Sequence, residues 1–142
     1  MIVKFKKVHE DAVVPTRADV GAAGYDLYSV ENVHLLPNKP TKIRTGLALE
    51  IPEGYFGAVY VRSGISLKQV NLSNSVGVID SSYRGHLCVL ATYYGNERFL
   101  VEKGMRIAQL VVQQHFSVNF EEVDELTETD RGTGGFGSTG NN

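Results

Sequence analysis

Cysteine is almost absent from this chain. Cys88 stands alone, so no internal disulfide can form. Its apolar neighbours Leu87, Val89 and Leu90 read as the surroundings of a buried thiol, which fits a reduced intracellular setting. Long hydrophobic runs are also lacking: nothing approaches the ~20 apolar residues a membrane helix needs. The first seven residues carry lysines but no apolar stretch, so they do not read as a signal peptide. There is no basic excess either. Fourteen Lys and Arg face 16 Asp and Glu, for a net charge of −2. That excludes a general nucleic-acid binder, which needs a basic face. A polyanionic ligand stays open if a few basic side chains converge. The expectation is a cytoplasmic protein with neither nucleic acid nor membrane as partner.

Several chemical signatures are missing too. His9, His34, His86 and His115 show no metal-ligand spacing. No G-x-S-x-G elbow surrounds Ser63, which argues against a Ser-His-Asp hydrolase. A P-loop needs a Gly-Lys pair, and none occurs. Gly132, Gly134 and Gly137 satisfy G-x-G-x-x-G, but the chain given stops at Asn142, with no room for the helix and later acidic residue of a dinucleotide site. No internal repeat is visible.

What remains is a succession of short stretches rich in Val, Ile, Tyr and Phe. They include Leu47 to Ile51, Tyr55 to Val61, Leu87 to Tyr94 and Ile107 to Val112. Turn signals such as Pro52-Glu53-Gly54 and Glu102-Lys103-Gly104 separate them. Many short strands at this spacing predict a sandwich, barrel or jelly roll in a single domain. Only Ser63 to Val70 invites a helix, of about two turns, with Ser63 or Ser66 as N-cap. From about Glu121 the chain turns acidic and then Gly-rich, a tail whose glycines lose too much entropy on ordering to join the core unaided.

Five segments carry possible chemistry, each with an ordinary structural reading beside it. Asp26 in Ala22 to Ser29 either caps a turn or joins carboxylates around a metal. Arg62-Ser63-Gly64 is either a strand end or an anion site at a helix start. Asn74 to Gly85 reads as a β-hairpin in which Asp80 caps the turn or acts as general base. Tyr83 reads equally as a half-buried strand aromatic. Gln109 sits in an apolar run and needs hydrogen-bond partners if buried. In the tail, Arg131 and backbone N–H groups can hold phosphate oxygens, and Phe136 can stack on a base. The alternative is a plain disordered terminus.

Taken in order, these segments resemble the five motifs of the trimeric dUTPase family. Ala22 to Ser29 is similar to A-x-G-Y-D-L, and Arg62 to Lys68 to R-S-G-x-[SA]-x-K. Asn74 to Gly85 is similar to N-x-x-G-[VL]-I-D-x-x-Y-x-G, Gly104 to Leu110 to G-x-R-I-A-Q-L, and Arg131 to Gly140 to R-G-x-G-G-F-G-S-[TS]-G. Val61, where proline often stands, Ser82, where aspartate is frequent, and His86, where the family is variable, are the departures.

The resemblance implies an all-β, jelly-roll-like barrel over residues 1–120 with one short helix, and a flexible Gly-rich arm over 121–142. It implies a homotrimer whose sites are each built from three subunits. The implied activity is hydrolysis of dUTP to dUMP and pyrophosphate, limiting uracil in DNA and supplying dUMP for dTMP synthesis. Asp80 would activate the water that attacks the α-phosphorus. Arg62, Ser63, Gly64, Gln109, Arg131, Gly137, Ser138 and Thr139 would serve the phosphates. Asn74, Gly77, Val78, Ile79, Tyr83 and Phe136 would serve uracil and deoxyribose. Mg²⁺ would be held through the phosphates and not by the protein directly, with Asp26 reaching it at most through water. Arg62 and Asp26 would organise the site. The rivals are a dCTP deaminase of the same fold, a regulatory protein switched by dUTP, and a β-scaffold with no site.

Overall fold

The computed structural model describes residues 1–136. Among these residues, ten strands and one helical turn follow each other: β1 (Lys4–Lys7), β2 (Tyr25–Tyr28), β3 (Val33–Leu35), β4 (Thr41–Glu50), β5 (Tyr55–Tyr60), α1 (Ser63–Ser66), β6 (Val70–Leu72), β7 (Gly77–Ile79), β8 (Leu87–Tyr93), β9 (Phe99–Val101) and β10 (Arg106–Gln114). One sheet has the order β1-β4-β8-β6, a second β2-β10-β5-β7, and β3 pairs with β9. All ladders between these strands are antiparallel. The fold is all-β and jelly-roll-like, with two four-stranded sheets that stay open at their edges.

Successive side chains of a strand point to opposite faces, and this alternation explains the packing. In β8, Leu87, Val89 and Ala91 are buried, whereas Leu90 is exposed and Cys88 is only half covered. In β4, Ile43, Leu47 and Leu49 point inward and Lys42 and Arg44 outward. These residues join Leu27, Leu35, Ile107 and Leu110 in one core. The β4–β8 register slips between Arg44 and Leu47. Gly46 sits at this slip with a left-handed φ of 69°, and a Cβ there would stand 2.9 Å from both His9 Cβ and Val30 Cγ1. Glycine alone suits such a place. The buried Thr45 hydroxyl donates to the Leu87 carbonyl at 2.6 Å, satisfying a group beside the slip.

Three expectations need correction. The helix is one turn, Ser63–Ser66, because Gln69 takes a positive φ of 61° and Val70 already pairs in β6. Its N-cap is Arg62, with no side-chain cap bond, and neither Ser63 nor Ser66 fills that role. Asn74 to Gly85 is not a self-paired hairpin. Its strand β7 pairs with β5, and the flanking β6 and β8 belong to the other sheet, so the segment crosses between sheets and back. Tyr83 accordingly lies outside any strand and is exposed. Among the described residues, no helix is long and apolar enough to cross a membrane.

Candidate active site

Strand β5 organises the motif residues. It lies between β10 and β7, with Gln109 opposite Tyr60 on one side and Ile79 opposite Gly57 on the other. Gln109 also faces Asp26 of β2. Three motifs therefore meet where β5 runs out into Val61 and Arg62.

The centre of that meeting is Asp26, which is only 8% exposed. Its Oδ1 forms an ion pair with Arg62 Nε at 2.7 Å, and its Oδ2 accepts from Arg106 Nη1 at 3.2 Å. A carboxylate this buried requires such partners. One carboxylate against two guanidiniums leaves a positive charge at the strand end, next to the exposed Ser63 and Gly64. Gln109 Nε2 donates to the Val61 carbonyl at 3.0 Å, the backbone partner its place in an apolar strand calls for. Its amide rests on Gly24, where a Cβ would stand 3.1 Å from Gln109 Cδ and nearer still to Oε1. Close approach fixes the glycine of this motif.

Asp80 sits elsewhere. Because β7 runs antiparallel to β5, Asp80 falls beyond Ile79, past the level of Gly57 and away from Arg62. Arg62 is five residues along the chain from Gly57, roughly 16 Å at ~3.3 Å per residue, and Asp80 lies on the far side of that level. Within one chain, then, Asp80 and the Arg62–Gln109 cluster do not come together. Asp80 is exposed, and its carboxylate has no hydrogen bond or ion pair among the described residues. The Tyr83 N–H donates to the Asp80 carbonyl at 3.1 Å, and Arg84 Nη1 braces the turn through the carbonyls of Ser81 (2.6 Å) and Tyr83 (3.0 Å). Asp80, Tyr83 and Val78 line a groove of about 500 Å³ with Lys42, Arg44 and Cys88. Partial burial pushes the Cys88 thiol up, so it is not a ready nucleophile.

Asn74 lies in the bend before β7, its side-chain nitrogen beside Gly77. Strand β7 is the edge of its sheet, so one side of the Gly77-Val78-Ile79 backbone is unpaired. After β10 the chain forms no further strand through Phe136. Arg131 is exposed and donates from Nε to the Gly134 carbonyl at 2.9 Å, and Phe136 is fully exposed. Gly137, Ser138 and Thr139 lie outside the described residues. A second groove, about 420 Å³, is lined by apolar residues such as Val3, Phe5, Leu49 and Leu110 and lacks the charge a triphosphate needs. Among the described residues, no three His, Cys, Asp or Glu side chains gather as a metal cage. Sequence reasoning gave no role to Arg106, although it stands in the fourth motif. Only its contact with Asp26 distinguishes it.

The dUTPase family model matches residues 10–140. The deoxyuridine 5′-triphosphate nucleotidohydrolase of Clostridioides difficile is 45% identical over 139 residues, covering 97% of each chain. The human mitochondrial enzyme of the same name is 42% identical over the whole of this chain and 56% of its own length. The solved structure of the Staphylococcus bacteriophage 80alpha dUTPase with dUpNHpp superposes with a TM-score of 0.86 at 32% identity, covering 98% of both chains. With that agreement over nearly its full length, the chain belongs to the dUTPase family and is a deoxyuridine 5′-triphosphate nucleotidohydrolase.

Proposed function

We propose that the chain hydrolyses dUTP to dUMP and pyrophosphate through water attack on the α-phosphorus, with Asp80 as general base. One observation carries this reading. Of the two motif aspartates, Asp26 is occupied on both oxygens by arginine, whereas Asp80 is exposed and unpaired among the described residues. A base must have a free oxygen to take a proton, and a positioned one contributes about 10²–10⁴-fold. The 80alpha relative is described with a dUTP analogue, which supports the substrate.

The edge backbone of Gly77, Val78 and Ile79, with Asn74, would read uracil's alternating donors and acceptors. Cytosine would leave groups unpaired there, and such mismatches give large discrimination. Tyr83 would pack on deoxyribose and refuse a ribose hydroxyl. Arg62, Ser63, Gly64 and Gln109 would serve the phosphates, with Arg62 held in place by Asp26. Arg131, Phe136, Gly137, Ser138 and Thr139 would close over the ligand, residues 121–142 acting as an arm on a body of residues 1–120.

The separation of Asp80 from the Arg62 cluster supports a homotrimer with shared sites, since a second copy must supply the missing half. A hard cation would be carried by triphosphate oxygens and water, with Asp26 touching it only through water. Bound in that way, Mg²⁺ would offset charge on the leaving pyrophosphate. A phage relative is described as coordinating a structural Mg(II) ion. In an intracellular setting the reaction would keep uracil out of DNA and supply dUMP for dTMP synthesis.

The test is pyrophosphate release measured across dUTP, dTTP, dCTP and UTP, with and without Mg²⁺. Selective, magnesium-dependent turnover of dUTP is expected. Ammonia release from dCTP, or indifference to every uracil nucleotide, would refute the reading.

A further inference from the structure

The Tyr83 ring lies back over its own chain, its hydroxyl donating to the His86 carbonyl at 3.2 Å. It can do so only because residue 85 has no side chain. A Cβ on Gly85 would stand 2.5 Å from Tyr83 Cζ and 2.8 Å from Cε2, with the hydroxyl oxygen nearer still. Ordinary van der Waals contact between carbons begins near ~3.5 Å, so ring and Cβ cannot share the space. The backbone of Gly85 is not left-handed, in contrast to Gly46. Alanine is therefore compatible with the main chain. The three nearest atoms such a Cβ would meet all belong to the tip of one exposed side chain with free torsions. The ring would swing and the fold would stay. Arg84, gripping the Ser81 and Tyr83 carbonyls, holds the turn itself.

We propose that Gly85 is a positioning residue for sugar selection: by lacking a Cβ it seats the Tyr83 ring beside the groove, and so sets the preference for deoxyribose over ribose. This rests on the sugar-facing role given to Tyr83 above. A ring fixed in its seat denies a 2′-hydroxyl both room and a partner. A ring pushed out by a methyl group opens the slot, and the loss should appear in the ratio of substrates more than in turnover of dUTP.

The experiment compares Gly85→Ala, Tyr83→Ala and the double variant with the wild type, as kcat/KM for dUTP and for UTP, alongside thermal unfolding. Gly85→Ala is expected to keep the melting midpoint and to lower the dUTP-over-UTP ratio by about tenfold or more. In the Tyr83→Ala background the same change should leave the ratio where it was, because residues acting through one another are not additive. An unchanged ratio in Gly85→Ala, an equal drop in both backgrounds, or failure of either Gly85→Ala protein to fold overturns the proposal. A wild type that selects dUTP while Gly85→Ala keeps its ratio sinks this inference alone. A wild type inert towards dUTP sinks the parent reading.

Discussion

Asp26 and Asp80 are the same residue type in two family motifs, and their surroundings give them opposite fates. Asp26 is buried at the junction of β2, β10 and the end of β5, with a guanidinium on each oxygen. Asp80 stands exposed on a turn that backbone bonds and Arg84 hold, and no side chain engages its carboxylate among the described residues. A carboxylate that organises a site is consumed by its neighbours. One that does chemistry must be left with a free lone pair. The β5 register adds a second lesson: the Asp26 end and the Asp80 end face opposite ways along one strand.

The contrast can be broken by exchanging charge for an amide at each end. Asp80→Asn should give the largest effect, a fall in kcat of about 10²–10⁴-fold with dUTP binding retained, read by single-turnover kinetics and calorimetry. Wild-type pyrophosphate release by that variant would remove Asp80 as base. Asp26→Asn should act on the fold instead. It leaves two arginines around a neutral amide, so urea denaturation is expected to show a loss of about 3 kcal/mol. An Asp26→Asn protein as stable as wild type would mean that the clamp is not structural. A smaller, partial effect is expected on mixing. Co-refolding Asp80→Asn with Arg62→Ala should recover part of the activity that neither has alone, because in the proposed trimer some mixed sites would combine two intact halves. No recovery would count against shared sites.

The smallest effect should come from an exposed ion pair. Glu31 accepts from the backbone N–H of Arg44 at 2.8 Å and from its guanidinium at 2.8 and 3.0 Å. The Arg44 side chain holds the Glu31 carboxyl below its ordinary pKa. A lowered folded value means that the pair stabilises above the ordinary glutamate pKa and stops doing so as pH falls through the lowered one. Glu31→Gln should cost roughly 0.5–1 kcal/mol near neutral pH and make the acid limb of the stability curve shallower. A loss as large as that of Asp26→Asn would erase the distinction between buried and exposed pairs.

Much of this was legible before any coordinates. The short runs rich in Val, Ile, Tyr and Phe between turn signals marked an all-β chain, and the five motifs carried the family. Contacts between distant residues were less legible. The apolar flanks of Cys88 suggested full burial, yet its own face of β8 turns partly outward onto the groove. The bend at Asp80-Ser81-Ser82 looked like a hairpin tip, because a turn between apolar residues does not say which strand each arm will find. Arg106 reads as one polar residue at a strand start until it is seen beside Asp26, eighty positions earlier. Gly24 and Gly85 read as motif glycines without a reason until the side chains resting on them are located.

The order of residues alone determined the strand periodicity, the motif set and, through these, the family and its substrate class, because each is a property of residue type and spacing. Tertiary structure decided which aspartate is clamped, which is left exposed, and that Asp80 and the Arg62 cluster point apart. Those depend on strand register and on burial, which arise only when distant segments pack and polar groups must find partners out of water.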